Sequence, residues 1–498
     1  MSELARQMEP ETVTVTVGAE LMLPACLVPP VMRRALYARL TRDNPDKRQR
    51  DRMGLASFDI PDRICLVREE KHGIESFLCV PRGALSIVQA AADRAGIDLA
   101  FESRAVENGV GARNFNDTPV VLRKYQKEAI EKLITRVQGY IRLPCGGGKT
   151  VLGAGAVYKS GQAALILVHT HELAKQWSDT FMALYGVRVR RAGASWAALK
   201  PGEVAIGMVQ KIHRAGWRAR KLLGSCGVVL VDEAHHCPAA TYRDIMRCIP
   251  ARYRWGLTAT PERPDGWSFL LPLTIGPELY GMTAADLVAA GHLIHPVIMP
   301  IKTNQSVSLT DKQTGRPNMA GAVSKLCKLK DRTNLIIELA LHGAQHGRTV
   351  LILVPRVAYA HQLAKMLCHE GIKAAAITGR VPKAVRGKIM TRLRSGDLQI
   401  AVATQLADEG LDVPRLDLMI IASAGRSAGK AIQRMGRAMR NSPGKKRPIV
   451  VDLVDGGVFY SQWRARQSAY LTSLGTDVAS PVPLSKAIDL FVELLNQP

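Results

Sequence analysis

Residues Leu143 to Thr150 read LPCGGGKT. Gly146, Gly147 and Gly148 leave three successive peptide N–H groups free to curl around an anion, because no Cβ blocks the approach. Lys149 then stands where an ammonium can reach β- and γ-phosphates. Thr150 offers a hydroxyl to Mg²⁺ and opens a helix whose N-terminus favours negative charge. The usual phosphate loop is Gly, four residues, then Gly-Lys-Ser/Thr. Here Leu143 takes the first glycine's place, so the loop's entry does not need a positive φ. Read alone, the stretch is either a nucleotide loop, with Pro144 and Cys145 at its start, or a glycine-rich structural turn.

A second constellation narrows the choice. VVLVDEAHH, beginning at Val228, is an apolar run ending in two acids. Asp232 can hold the shell of a Mg²⁺ ion, and Glu233 can orient and deprotonate an attacking water. Acidic pairs at strand ends are common, but both motifs in one α/β unit point to phosphoryl transfer. Far downstream, Arg437 and Arg440 lie three apart on a predicted helix and share a face. They would neutralise charge on a transferring phosphoryl group, or, with Arg426, Lys430 and Arg434, simply form a basic surface helix.

The elements that must position these residues follow from hydrophobic patterning. GYIRLP, AALILVHT, EVAIGMV, GVVLVDEAHH and RWGLTATP are short continuous apolar runs separated by helical stretches. Strands of a parallel sheet, buried on both faces, read this way. Strands alternating with helices predict a doubly wound α/β domain. The pattern breaks over a polar stretch and resumes with RTVLILVP, KAAAIT, QIAVAT, LDLMIIAS and RPIVVDLVD. The fold class is therefore α/β, two tandem doubly wound parallel-sheet domains with a small N-terminal α+β accessory domain. The expected boundaries are residues 1–118 for the accessory domain, 119–300 for the first α/β domain, 301–332 for a linker, 333–470 for the second α/β domain and 471–498 for a helical tail. Ligands of such sheets bind at the carboxyl ends of the strands. Those ends carry Lys149, Thr150, Thr170, His171, Gln210, Asp232, Glu233, Thr258 and Thr260.

Composition bounds the partners. The net charge is +25 over 498 residues, an excess that favours a polyanion, most often nucleic acid. Arg33 to Arg52 concentrates it, with eight Lys or Arg in twenty residues. Arg48, Arg50 and Arg52 are candidate phosphate contacts there, against the alternative of a solvated helix face. Aromatic residues are only 5%, so base stacking is not the expected grip. Nothing approaches the roughly 18 consecutive apolar residues of a membrane helix. Nine cysteines without a C-x-x-C pair argue against structural zinc and for a reducing compartment. Cys226, Cys237 and Cys248 near His235 and His236 read as core packing rather than a metal site. The start, MSELARQMEPE, shows no secretory organisation, and a cytoplasmic, nucleoid-associated protein without a membrane partner is expected.

LPCGGGKT, VHTHELAKQW, VDEAHH and GLTATP resemble motifs I, Ia, II and III of superfamily 2 helicases, whose motif I tolerates a non-glycine at the Leu143 position. VLILVPRVAYAHQLAKML, VATQLADEGLDVP and QRMGRAMR resemble motifs IV, V and VI. The stretches after motifs II and III, DEAHHCPAATYRDIM and IGPELYGMTAADLVAAGHLIHPV, are similar to those of the XPB/UvsW-like branch of DNA repair helicases. PERPDG sits where that branch carries an Arg-Glu-Asp element, with Arg263 and Asp265 as the residues able to stand in for it. The resemblance implies RecA-like domains, ATP and Mg²⁺ as cofactors, and DNA rather than RNA as the partner. It implies that Arg123 and Gln126 in LRKYQ read adenine, that Gln433 senses the γ-phosphate, and that Gly410 and Asp412 couple nucleotide to nucleic acid. Thr170, His171, Gln210, Arg356 and Thr404 would hold sugar and phosphate, contacts that carry little base specificity. An RNA helicase, the motor of a restriction or defence assembly, and a sensor that binds without unwinding are the alternatives.

Overall fold

The computed structural model describes all residues except 1–11, 53, 55, 116–117, 119, 264, 311–314, 405–415, 423–445, 475–477 and 498. Two compact units are distinguished: residues 1–143 with 148–281, and residues 144–147 with 282–498.

The first unit opens with a five-stranded mixed sheet. The strand Thr12–Val17 lies parallel to Asp98–Ser103 and antiparallel to Glu20–Pro24, which continues through Glu75–Pro81 to Arg68–His72. In TVTVTV the side chains alternate, so Val13 and Val15 enter the core. Helix Pro30–Leu40 adds Met32, Leu36 and Leu40, spaced every four residues along one face. This module is anchored to the remainder of its unit. Leu270, on the segment after the GLTATP strand, belongs to its core, with Trp267, Phe269 and Leu273 packed against it. Buried Arg82 donates to the carbonyls of Gly18, Ala251 and Arg252. Arg254, only 2% exposed, donates to those of Ala19, Thr274, Met246 and Ile249. Burial pushes the guanidinium of Arg82 down to about 10 and, with Arg82 nearby, that of Arg254 to about 9.

The rest of the unit is a seven-stranded, all-parallel sheet. Its strands run in the order Arg190–Arg191, Val204–Met208, Ala164–Val168, Val228–Asp232, Tyr253–Thr258, Gln138–Arg142 and Glu278–Gly281. ALILV and VVLVD are buried at every position, as strands covered on both faces require. Gln138–Arg142 is the first of these strands along the chain, and the glycine loop follows its carboxyl end, where ligands of such sheets bind.

The second unit holds another seven-stranded parallel sheet, in the order Ala374–Ile377, Ile400–Thr404, Thr349–Val354, Leu416–Ile421, Ile449–Val454, Val297–Lys302 and Val482–Pro483. Two boundaries differ from expectation. Val297–Lys302, assigned by sequence to the first α/β domain and the start of the linker, pairs with Ile449–Val454 here. The expected tail supplies the Val482–Pro483 edge strand and the helix Leu484–Asn496, whose Ala487, Phe491 and Leu495 belong to the second core. The expected linker is not bare either. It contains helix Met319–Leu326 and the start of Lys330–Gln345, because Ala322 and Leu326 supply an apolar side that the polar surroundings hide. Among the described residues no helix is long and apolar enough to cross a membrane.

Candidate active site and nucleic-acid contacts

The glycine loop joins strand Gln138–Arg142 to helix Lys149–Ser160. Leu143 is fully buried and its N–H donates to the Thr258 carbonyl, so its side chain serves the core where a glycine would leave space. Gly146 and Gly148 have φ of 86° and 75°, the left-handed region in which a side chain is strained. A Cβ on Gly148 would also lie 2.6 Å from Gln126 Nε2. The backbone therefore demands glycine at both positions, as a loop that wraps an anion does.

Three of the candidate side chains, Lys149, Asp232 and Glu233, gather beside this loop. Lys149 Nζ donates to the Leu143 carbonyl at 3.4 Å and lies 3.6 Å from Glu233 Oε1. Glu233 has φ of 50°, a conformation that costs a residue bearing a Cβ about 1–2 kcal/mol. That left-handed turn ends the Val228–Asp232 strand and lets adjacent acids face one pocket. Burial pushes Asp232 up to about 6, with Glu233 adding to the rise. Burial opposes ionisation of Glu233 as well, but Lys149 and then His235 hold it below the usual carboxylate range. Burial thus disfavours the charge on Asp232, while Lys149 favours the charge on Glu233. Thr150 Oγ1 and the Asp232 carboxylate are the hard oxygen donors that Mg²⁺ selects, and two protein ligands suffice when phosphates complete the shell. Glu233 Oε2 is buried without a hydrogen-bond partner, so the pocket retains an acceptor for a water or hydroxyl.

Three supporting contacts were not foreseen from sequence. Gln176 Nε2 donates to Thr150 Oγ1 at 2.9 Å, and Trp177 Nε1 donates to Asp232 Oδ2 at 2.8 Å. His235 Nδ1 lies 3.1 Å from Thr258 Oγ1, which ties VDEAHH to GLTATP. Arg263 donates from Nη1 to the His235 carbonyl at 2.7 Å while its Nε donates to Asp265 at 2.9 Å. Arg263 and Asp265 therefore form a brace behind the acidic motif. Burial and the neighbouring imidazoles of His235 and His169 push His236 down to about 3, which leaves it neutral near pH 7. The residue types were visible within the quoted motifs, but which side chains meet across 23 to 55 positions was not.

The remaining candidates are scattered more widely. Gln126 is buried, its Oε1 accepts from the Arg123 N–H at 3.0 Å, and Arg123 donates to Tyr125 Oη at 3.1 Å. Both residues thus shape the start of helix Lys124–Arg136 below Gly148. Thr170 is the N-cap of helix His171–Tyr185, its Oγ1 accepting from the Leu173 N–H, and His171 is exposed at the helix start. Gln210 is exposed in the first turn of helix Val209–Ala215, which follows the strand Val204–Met208. In the second unit, Arg356 precedes helix Val357–His369 and donates to the Ala320 carbonyl, and the Thr404 hydroxyl is buried without a partner. On the basic helix Pro45–Arg52, Arg48 pairs with Asp43 and Arg50 with Asp59. The sequence led us to expect open cations there; local acids already hold two of them. Gly410, Asp412, Gln433, Arg437 and Arg440 lie outside the described residues.

Residues 119–263 match the family model described as type III restriction enzyme, res subunit, and residues 331–442 match the helicase conserved C-terminal domain. The chain is 29% identical over 370 residues to Rad25 of Haloarcula marismortui, named as a DNA 3'-5' helicase, a match covering 73% of this chain and 57% of that protein. It is 25% identical over 374 residues to the DNA 3'-5' translocase XPB2 of Sulfurisphaera tokodaii, covering 68% of this chain and 82% of the relative. The chain thus spans less than two thirds of the Haloarcula relative's own length. Among solved structures, S. cerevisiae Dbp5 bound to RNA and ADP BeF3 superposes with a TM-score of 0.56 at 15% identity, over 75% of this chain and 93% of that one. The last likeness is one of fold, two RecA-like domains in tandem.

Proposed function

We propose that this chain, which belongs to the superfamily 2 helicases, is an ATP-driven motor that translocates on DNA and separates or remodels its strands. The observation that carries the reading is that Lys149 meets Glu233 next to buried Asp232, beside a loop whose Gly146 and Gly148 have positive φ.

In this reading the triphosphate lies along the loop N–H groups, and Lys149 leaves Glu233 for the β- and γ-phosphates. That exchange frees the carboxylate for water. Glu233 takes a proton as the water oxygen bonds to the γ-phosphorus and the bond to the β,γ-bridging oxygen breaks, giving ADP and phosphate. Mg²⁺, held through Thr150 and Asp232, supplies charge neutralisation across the phosphates. Gln433, Arg437 and Arg440 would stabilise the transition state, a role worth roughly 10³–10⁵ in rate for an arginine finger, or about 4–7 kcal/mol. Arg123 and Gln126 would meet adenine, and Gly410 and Asp412 would link nucleotide state to strand grip. Thr170, His171, Gln210, Arg356 and Thr404 would hold one strand by sugar and phosphate.

DNA and 3'-to-5' movement are favoured by what the Haloarcula and Sulfurisphaera relatives are named for. Strand displacement on duplexes with a 3' or a 5' single-stranded tail, in DNA and in RNA, tests this. Unwinding of the 3'-tailed DNA is expected; preference for RNA would transfer the motor to RNA, and binding with ATP turnover but no displacement or translocation would make it a sensor. The restriction description of the first matched family favours a second reading, the motor of a nuclease assembly. Co-purification of a nuclease or methylase would support it.

A further inference from the structure

The helix His171–Tyr185 meets the candidate metal site at two successive residues. Neighbours on a helix point about 100° apart, so such a pair normally serves two different surroundings. Here both reach one site. Gln176 gives an amide hydrogen to Thr150 Oγ1, and Trp177 gives its indole hydrogen to Asp232 Oδ2. Asp232 Oδ1 accepts from the Glu233 backbone N–H at 3.0 Å, so both carboxylate oxygens are tethered and the side chain is held in one orientation.

The neighbouring helix makes room for the indole. A Cβ on Gly153 would fall 2.6 Å from Trp177 Cη2. That glycine lies one turn beyond Thr150, so the phosphate-loop helix carries a notch that seats the far edge of the ring whose N–H bonds Asp232. Trp177 is fully buried, its outer ring edge fills the space at Gly153, and its N–H adds the donor that an apolar ring lacks. Gln176 is exposed, so its bond to Thr150 does little for the fold. Donors that orient a metal-ligating oxygen commonly govern metal affinity by 10–100-fold.

Resting on the ATP-site reading, we infer that Gln176 and Trp177 are positioning residues: they hold Thr150 and Asp232 in the geometry that receives Mg²⁺, without touching nucleotide. The role belongs to metal capture, not to nucleotide capture.

The test measures binding rather than turnover. Affinity for a fluorescent ADP analogue is titrated in chelator and against rising Mg²⁺, and Mn²⁺ occupancy is followed by electron paramagnetic resonance. Trp177→Phe keeps an aromatic side chain, smaller than the indole, and loses the donor; Gln176→Leu alters an exposed side chain and preserves folding should the tryptophan variant be unstable. Both are expected to bind nucleotide in chelator as the parent does. The Mg²⁺ needed for half-maximal tightening should rise about 10-fold or more for Trp177→Phe, and by less for Gln176→Leu. Unchanged Mg²⁺ and Mn²⁺ dependence in both variants, with Asp232→Asn abolishing it, overturns the inference while leaving the ATP site intact. Unchanged dependence in Asp232→Asn as well removes the metal assignment and the inference with it.

Discussion

The same unit contains two charged clusters built on opposite physical terms. Beside the glycine loop, Lys149 and Glu233 side chains are 10% and 18% exposed, and the charged groups meet neighbours drawn from across the fold. On the basic helix, Arg48 and Asp43 are 64% and 50% exposed, and Arg50 and Asp59 are similarly open. A buried charge is felt strongly because little water screens it, whereas an exposed pair is worth at most about 1 kcal/mol and fades with salt. Sequence gives the opposite impression. The basic run is conspicuous and the pocket contributes only one lysine and two acids. Density of charge therefore marks where a polyanion can be steered, while burial and fixed orientation mark where chemistry is done.

The contrast breaks first at the pocket. Lys149→Ala should reduce ATP turnover by at least about 10³-fold with an unchanged circular dichroism spectrum, since it removes the lysine of the pocket aimed at phosphate. Normal turnover would show that the cluster is structural. Arg437→Ala and Arg440→Ala should lower kcat by roughly 10³–10⁵ while KM moves little, because their contact is proposed for the transition state. Loss of ATP affinity alone would assign them to ground-state binding instead. Gly148→Ala combines a positive φ with a close approach to Gln126, and should weaken nucleotide binding while costing about 1–2 kcal/mol of stability, read from a denaturant titration.

The smallest effect is expected at the basic helix. Replacing Arg48, Arg50 and Arg52 by Gln should leave turnover at saturating DNA intact. Because Arg48 and Arg50 are already shared with Asp43 and Asp59, the log–log salt slope of DNA binding should fall by about 1 rather than the nearly 3 that three free duplex contacts would give. A fall near 3 would mean that DNA displaces both acids; no fall would leave the helix as solvated surface.

The strand ends that carry Lys149, Asp232 and Thr258 were legible because fully buried parallel strands leave continuous apolar runs, and the polar residue ending each run stands out. Pairing over long separations was not legible. Val297–Lys302 looks like a continuation of the first domain, yet it pairs with Ile449–Val454, and nothing local encodes a partner so far along the chain. Leu484–Asn496 read as a tail because its destination, the second core, is invisible from its own pattern. In the pocket, the loop and acids were readable from spacing, whereas the Trp177 bond spans 55 positions and depends on the gap at Gly153. Of the acids that hold the basic helix, Asp43 stands within the run, five residues from Arg48, whereas Asp59 lies beyond it.

Above all else, this buried pocket is proposed to hydrolyse ATP under the control of a DNA strand. Steady-state ATP turnover, measured with and without single-stranded DNA for the parent chain and for Glu233→Gln, tests that claim most directly. Strong stimulation by DNA is predicted in the parent, and near-absent turnover in Glu233→Gln with ATP and DNA binding retained. Equal turnover with and without DNA, or a Glu233→Gln variant that hydrolyses as fast as the parent, would contradict it.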